Sequence, residues 1–257
     1  MEFGAWDGLH LNNSRHLIES QGYSAVFVEP NPKRFADLKR NYAHHAQPII
    51  CFNKFVNFSG QDTLDDILSS TPIPRDFDLL SIDIDGNDYH VWKAVEKYRP
   101  KVVIIEYNPT IPIGVKFVQP ANGSVSQGAS AASLIELARE KGYELVSCLV
   151  FNCFFVRKDL FGHFKISQND EHIMRTDLEY VTHMFTGFDG HVFLRGSLRL
   201  PWQRMQFNEK KMQRLPAFMQ TFPPNFNWFQ RLMYYPYLLI SEPKRMLKKA
   251  WERFRQP

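Results

Sequence analysis

Acidic side chains follow four of the strands that the sequence predicts, at the points where those strands end. The first strand leads into residues 2–7, the second ends at Glu29, the fourth ends at Asp83 and Asp85, and the fifth ends at Glu106. Carboxylates can bind ligand hydroxyls, hold a divalent cation or accept a proton. Because ligands bind at the carboxyl ends of parallel strands, we expect these acids to lie at one ligand-binding edge.

Two glycines and one distant acid favour a nucleoside ligand. Gly4 and Gly8 lie between the first strand and a helix that starts near Ser14, where glycines allow backbone amides to approach a ligand closely. Glu29 follows Gly8 by about 20 residues, the distance at which nucleotide-binding α/β proteins place an acid on ribose hydroxyls. Taken separately, the glycines are also explained by a tight turn and Glu29 by a solvated acid at a strand end, but the two features together favour the nucleoside.

The sequence lacks both G-x-G-x-x-G and G-x-x-x-x-G-K-[ST], so it contains no pyrophosphate-binding motif. A nucleoside without a pyrophosphate therefore fits better. S-adenosylmethionine (SAM) is such a ligand, since its ribose needs an acid and its amino-acid end needs loop amides and carboxylates.

The segment 83–90 combines acids with a histidine. Asp83 and Asp85 are two residues apart on a predicted strand, so their side chains fall on the same side, and with Asp88 they form a possible Mg²⁺ site. In the alternative without a metal, Asp83 contacts the cofactor and Asp88 caps the next helix. His90 is a general-base candidate, and the alternative, which is the commoner one for a histidine, is a surface or packing role.

A long connection follows the fifth strand. Glu106 and Asn108 lead into residues 109–130, and loops longer than about 15 residues are uncommon unless they are functional or disordered. This position predicts a substrate lid with Glu106 or Asn108 near the acceptor. The alternative is that its small polar stretch from Ala121 to Ser130 is mobile and takes no part.

These residues must be positioned by an α/β fold. Strand patterns alternate with helical patterns over the first 160 residues, which predicts a mostly parallel sheet covered on both faces. The runs 143–151 and 152–158 are too close for a crossover and predict an antiparallel pair. A short helix is predicted over residues 62–70, with Asp62 as its N-cap.

Composition excludes several classes of protein. The 257 residues are 44% hydrophobic and 23% charged, which excludes global disorder, and no apolar run approaches the ~20 residues of a membrane span. The segment "MEFGAWDG" has no signal-peptide pattern, and the three cysteines lack metal-ligand spacing. We therefore expect buried free thiols and a cytoplasmic protein.

The C-terminal segment differs from the rest of the chain. Residues 199–257 contain 12 Lys/Arg and three acids, a net charge of +9. Residues 241–255 predict a basic amphipathic helix with Ser241 as N-cap and Trp251 on its apolar side. Such a helix is typical of peripheral membrane contact, and packing on the domain or in a homo-oligomer is the alternative. Residues 170–185 also predict a helix.

The chain resembles the FkbM-like class I SAM-dependent methyltransferases over residues 1–157. The resemblance is carried by "EFGAWDG", "VFVEPNPKRF", "TLDDIL", "RPKVVIIEYNP" and, most specifically, "DLLSIDIDGNDYHVW". It implies a Rossmann-like seven-stranded sheet, mostly parallel with the last strand antiparallel, followed here by a basic, partly helical extension. The domain boundaries expected are 1–160 and 161–257.

The resemblance also implies a set of site residues. The cofactor-binding residues are Glu2, Gly4, Ala5, Asp7, Gly8, Glu29, Pro30 and Asp83, with Glu29 on the ribose and Asp83 at the amino-acid or methyl end. The catalytic candidates are Asp83, Asp85, His90 and Glu106, and the metal candidates are Asp83, Asp85 and Asp88. Because Met1 directly precedes Glu2, we expect a clipped first strand.

The resemblance implies O-methylation of a hydroxyl on a sugar, glycan or natural product, and we expect a sugar-containing or lipid-linked acceptor. One alternative is a GT-A glycosyltransferase that uses Asp83 and Asp85 as its metal-binding pair, which leaves Gly4, Gly8 and Glu29 without a role. Another is a non-catalytic membrane or nucleic-acid module. Nucleic acid is disfavoured, because the basic residues are concentrated on one helix.

Overall fold

The computed structural model describes residues 1–254, apart from the side chains of residues 249, 250 and 252–254. The chain divides into two compact units, Met1–Val181 and Thr182–Pro257.

The first unit contains a seven-stranded sheet. Its strands are β1 (Glu2–Phe3), β2 (Ala25–Val28), β3 (Ile49–Phe52), β4 (Leu79–Ile82), β5 (Val102–Glu106), β6 (Tyr143–Cys148) and β7 (Asn152–Arg157). The order is β3-β2-β1-β4-β5-β7-β6, and β7 runs antiparallel to both of its neighbours. The mostly parallel, Rossmann-like sheet that the resemblance implied is therefore present, and the predicted antiparallel pair is confirmed.

Helices connect the strands. They are α1 (Arg15–Gln21), α2 (Pro32–Asn41), α3 (Leu64–Ser69), α4 (Asp88–Ala94), α5 (Ala131–Glu140) and α6 (Glu171–Met174). The expected N-cap Asp62 is wrong, because Thr63 accepts from the Asp66 amide and Asp66 reciprocates in a capping box. Asp62 instead has a left-handed backbone and pairs with Lys54.

The core of the first unit consists of the apolar faces of the sheet and its helices. Phe3, Val28, Leu80, Ile105 and Phe155 on the strands are fully buried, as expected for a sheet covered on both sides. The thiols of Cys148 and Cys153 face each other across β6 and β7 at 3.4 Å. They are buried and free, and Cys51 is also free but only half-buried.

The second unit is less regular. It contains a hairpin of β8 (Thr182–Thr186) and β9 (Val192–Gly196), a short pair of β10 (Arg199–Leu200) and β11 (Met205–Gln206), and the helices α7 (Trp228–Ser241) and α8 (Pro243–Phe254). Among the residues that the structure describes, no helix has both the length and the apolar composition of a membrane span.

Two expectations for the C-terminal half are corrected. The helix predicted over residues 170–185 exists only at Glu171–Met174, and Thr182–Thr186 forms a strand because it pairs with β9 in the hairpin. The helix over 241–255 is present as α8, but Ser241 is the last residue of α7 and its hydroxyl donates to the Tyr237 carbonyl. Arg255 lies outside the described residues.

Candidate active site

The strand order brings the predicted site residues to one edge of the sheet. Strands β2, β1, β4 and β5 are neighbours, and all four are parallel. Glu29, Gly4, Asp83 and Glu106 lie at the carboxyl ends of these strands. The structure therefore places at one edge the acids that were predicted to meet there.

The loop after β1 is packed tightly against β4. Gly4 has a φ of +75°, and a Cβ added to it would lie 1.6 Å from the carbonyl oxygen of Asp83. The amides of Gly4 and Ala5 donate to the Val28 carbonyl, and the Tyr42 hydroxyl donates to the Gly8 carbonyl. Contacts from β2, β4 and α2 thus fix the backbone of the glycine loop, in which Ala5 is buried.

The Glu2 carboxylate shapes this loop from inside. It accepts hydrogen bonds from the amides of Asn13 and Ser14 and from the Ser14 hydroxyl, just before α1. Burial raises the pKa of Glu2. These contacts account for both carboxylate oxygens, and the role of Glu2 in cofactor binding stays a prediction.

Asp7 also makes its contacts within the loop. Its carboxylate accepts from the amides of Leu9 and His10 and pairs with the His10 ring at 2.7 Å. Burial alone raises the pKa of Asp7, but the hydrogen bonds from His10 and Leu9 prevail and lower it to about 2. Asp7 is therefore ionised and keeps the loop closed.

Glu29 lies beneath the glycine loop and is only 4% exposed. One carboxylate oxygen accepts from the Trp6 amide at 2.9 Å and the other from the Asn31 amide at 2.7 Å. A carboxylate has about four acceptor positions, so two of them are not used by these amides. Asn53, which sequence reasoning missed, donates to the carbonyls of Glu29 and Pro30 and holds this turn in place.

Three carboxylates gather at the ends of β4 and β5. Oxygens of Asp83, Asp85 and Glu106 lie within 4.8 Å of one another. Asp83 and Asp85 do not share a strand as predicted, because β4 ends at Ile82 and Asp85 has a left-handed backbone with a φ of 58°. The turn, not strand alternation, brings the two side chains together.

Burial and repulsion between carboxylates raise the pKa values of Asp83 and Glu106. Burial, with repulsion from Asp88 and Asp85, raises the pKa of Asp83 to about 7. Burial, with repulsion from Asp83, raises the pKa of Glu106 to about 9, and a hydrogen-bonding interaction with Asp83 adds to this shift. The two acids titrate as a pair, and Glu106 holds the proton at neutral pH.

The predicted metal ligand Asp88 lies outside this group. Its two oxygens accept from the amides of Ile84 and Gly86, each at 2.9 Å, and the side chain is buried. Asp88 thus holds the turn that carries Asp85, and it is not the helix cap of the alternative interpretation. Glu106 takes its place in the set, and three carboxylates are a suitable donor set for Mg²⁺.

The structure gives His90 a positioning contact. Its Nε2 lies 2.8 Å from the Gln119 carbonyl oxygen, which can only accept, so Nε2 carries the proton. The ring also packs between Phe58 and Tyr89. These contacts connect α4 to the long connection after β5, and the predicted role of His90 as a base stays a prediction.

The long connection is folded around Gln119. This buried side chain donates to Asn87 and to the Val125 carbonyl and accepts from the amides of Gln127 and Gly128. Gln119 was not predicted, since a single glutamine in a loop has no distinguishing sequence signal. It ties the turn after Asp85 to the connection, which is therefore built into the site edge.

Arg175 is a second residue that the sequence did not reveal. Its buried guanidinium donates to the carbonyls of Pro109 and Ile111, lies over the Tyr107 ring and pairs with Glu171. Glu171 in turn accepts from the Gly114 amide. The short helix α6 thus anchors the start of the connection. The only sequence signal for this contact is the (i, i+4) spacing of Glu171 and Arg175.

A cavity is present at the opposite end of the sheet. It is lined by Ile18, Tyr23, Val26, Ile73 and Phe77 near the amino ends of the strands. It is therefore separate from the acids at the carboxyl ends.

Comparison with known proteins gives a family for the segment that contains these acids. Residues 61–145, about a third of the chain, match the family model of the methyltransferase FkbM domain. The predicted FkbM resemblance is confirmed. The FkbM segment contains Asp83, Asp85 and Glu106 together with His90 and Gln119, whereas Gly4 and Glu29 precede it. This match favours a methyltransferase over the glycosyltransferase alternative.

Solved structures show a weaker likeness. The N-terminal domain of EvdMO1 with SAH bound is 15% identical, with 60% of this chain and 71% of that chain covered, at a TM-score of 0.38. Magnesium protoporphyrin IX methyltransferase (ChlM) from Synechocystis PCC 6803 with bound SAH is 11% identical, with 61% and 72% covered, at a TM-score of 0.37. No curated protein matches the sequence.

Proposed function

We propose that this FkbM-type protein is a SAM-dependent O-methyltransferase whose acceptor hydroxyl belongs to a sugar-containing, lipid-linked or natural-product molecule. The observation that carries the proposal is the contact of Gly4 with the carbonyl of Asp83. It places the glycine loop directly beside the carboxylates of Asp83, Asp85 and Glu106. A cofactor held by the loop would therefore meet an acceptor held by the acids.

The residues of the loop and of β2 fit the cofactor. Glu29 has acceptor positions for ribose hydroxyls beyond those used by the amides of Trp6 and Asn31. The Asp83 carbonyl lies so close to Gly4 that a side chain has no room there, which holds the loop against the acidic strand end. When bound, SAM supplies an electrophilic methyl group. Glu29 would orient the adenosine, and Asp83 would contact the amino-acid or methyl end.

The acid pair fits the removal of a hydroxyl proton. A general base is most effective when its pKa is near the working pH, and the raised pKa of Asp83, about 7, meets this condition. Asp83 would accept the hydroxyl proton while Glu106 holds its own. Transfer also requires an in-line arrangement, which the fixed loop and the anchored turn at Asp85 help to maintain.

The same residues would hold a divalent cation. Asp83, Asp85 and Glu106 provide three carboxylate ligands, and binding requires that Glu106 lose its proton. A bound Mg²⁺ supplies Lewis-acid activation of a hydroxyl. Such a site differs from the set predicted from the sequence by the exchange of Asp88 for Glu106.

Two measurements test the proposal. Calorimetry with SAM and, separately, with a UDP-sugar asks which cofactor binds, and we expect heat only with SAM. The protein is then incubated with methyl-labelled SAM and a panel of sugar-containing and lipid-linked alcohols, with matched amines and thiols. Analysis of the products identifies the atom that receives the label. Binding of the UDP-sugar alone would overturn the cofactor assignment, and label confined to amines or thiols would overturn O-methylation.

A further inference from the structure

Helix α7 presents an apolar stripe to solvent. Trp228, Leu232, Tyr235 and Leu239 follow the spacing that places side chains on one side of a helix. Their exposed fractions are 77%, 63%, 65% and 53%. Single exposed apolar residues are common on protein surfaces, but a contiguous row over three turns marks an interaction site.

The orientation of α7 is fixed by its opposite side. Gln230 is buried, caps the helix together with Asn227 and donates to the Phe218 carbonyl and the Thr221 hydroxyl. Tyr237, two turns later, donates to the Arg214 carbonyl. These residues lie about half a turn from the stripe. The exposure of the stripe therefore follows from the packing of the second unit.

Helix α8 also exposes apolar side chains, and cations lie beside them. Leu247 and Trp251 are one turn apart and are 68% and 63% exposed. Lys244 and Arg245, in the first turn of α8, are also exposed. Two consecutive helices thus combine a tryptophan, a tyrosine and leucines with cations, in a segment whose net charge is +9 from residue 199 onward.

We propose that the exposed stripes of α7 and α8 form one docking surface for anionic lipid bilayers. Tryptophan and tyrosine are favoured at the membrane–water boundary because each has an apolar ring and a polar group. Leucines add buried apolar area, and cations near an anionic leaflet add attraction that weakens with salt. The surface thereby combines the two interactions that peripheral membrane binding needs.

The positive charge of this surface favours an anionic bilayer over a second copy of the chain as its binding partner. The cores of protein–protein interfaces are depleted in charged residues. A symmetric contact through α7 and α8 would also bring two strongly basic segments together, and like charges repel. An anionic bilayer instead has the complementary charge. The proposal extends beyond methyl transfer and does not depend on it.

Co-sedimentation of the full chain with vesicles tests the surface. We expect binding to phosphatidylcholine vesicles that contain phosphatidylserine, weak binding to phosphatidylcholine alone, and loss of binding as salt is raised. Two variants separate the contributions. Leu232→Ser with Leu239→Ser should lower the partition coefficient by at least about tenfold, and Lys244→Glu with Arg245→Glu should remove the preference for phosphatidylserine.

Met184→Ser is the matched control, because Met184 on β8 is 65% exposed but lies outside α7 and α8. It should bind vesicles like the unchanged protein. All of the substituted side chains are exposed or half-exposed, so unchanged melting curves are expected. Vesicle binding that neither double variant weakens would overturn the proposal. Concentration-dependent dimers without vesicle binding would assign the stripe to a second copy and would also overturn it.

Discussion

Gly4 and the carbonyl oxygen of Asp83 are so close that a single added methyl group would overlap the Asp83 backbone, directly after the end of β4. The φ of Gly4, +75°, is also one that other residues rarely adopt. These two constraints join the glycine loop to the acidic strand end.

The first prediction is that Gly4→Ala destabilises the protein strongly. Backbone strain at a positive φ costs about 1–3 kcal/mol, and the overlap with Asp83 adds to it, so we expect a loss of at least about 2 kcal/mol in the free energy of unfolding. Urea denaturation measures it. Gly123→Ala is the control, since a Cβ at Gly123 meets nothing within 4 Å. Equal stabilities of the two variants would contradict the close approach.

The second prediction concerns Glu29. Glu29→Ala should weaken SAM binding by about 1–3 kcal/mol, because hydrogen bonds from the ribose hydroxyls to a buried carboxylate are lost. Calorimetry measures the dissociation constant. Glu19→Ala, an exposed acid on α1 that pairs with Arg15, should leave it unchanged. A folded Glu29→Ala protein with unaltered SAM affinity would refute the ribose assignment.

The third prediction is a stability that falls with rising pH. The pKa values of Asp83 and Glu106 are raised to about 7 and about 9, so the folded protein binds more protons than the unfolded chain between the ordinary acid pKa and these values. The free energy of unfolding therefore decreases as the pH rises through this range.

Glu106→Gln tests the origin of this effect, because it removes one titrating group and the repulsion from its charge. Its melting temperature should decrease less than that of the unchanged protein between pH ~6 and ~9. Glu140→Gln, an exposed acid at the end of α5, should retain the full decrease. If Glu106→Gln follows the unchanged protein at every pH, the two acids are not a coupled buried pair.

The fourth prediction concerns the cation. If Asp83, Asp85 and Glu106 hold Mg²⁺, EDTA should abolish methyl transfer and leave SAM binding nearly intact. Apparent Mg²⁺ affinity should increase with pH up to ~9, because Glu106 must lose its proton first. Full activity in chelator would remove the metal from the mechanism and leave Asp83 as base and cofactor contact.

The fifth prediction separates the two candidate ligands Asp85 and Asp88. Asp88→Asn should lower the free energy of unfolding by about 1–3 kcal/mol, because an amide can accept only one of the two hydrogen bonds from Ile84 and Gly86. Asp85→Asn should change stability by less than ~0.5 kcal/mol, because Asp85 is exposed. Mg²⁺ titration of the two folded variants should weaken only for Asp85→Asn, and the reverse pattern would restore Asp88 as the ligand.

Much of the fold follows from local signals in the sequence. The buried runs of β2, β4 and β5 and the alternation with helices determine a parallel sheet, since such strands can be stable only when both faces are covered. The same alternation places Glu29, Asp83 and Glu106 at one edge. The antiparallel pair β6–β7 follows from the short distance between its strands. Hydrophobic periodicity and the lengths of the connections determine these features, and both can be read directly from the sequence.

Tertiary structure decided which atoms each acid faces. Asp85 and Asp88 have the same chemistry and are three residues apart, but one faces Asp83 and Glu106 while the other binds amides of its own turn. Gln119, Asn53 and Arg175 hold backbone groups that are distant in sequence, and no local pattern specifies such partners. Equally, the exposure of α7 depends on where Gln230 is buried. Local preferences determine elements, whereas side-chain orientation and acidity depend on neighbours that only the folded chain brings together.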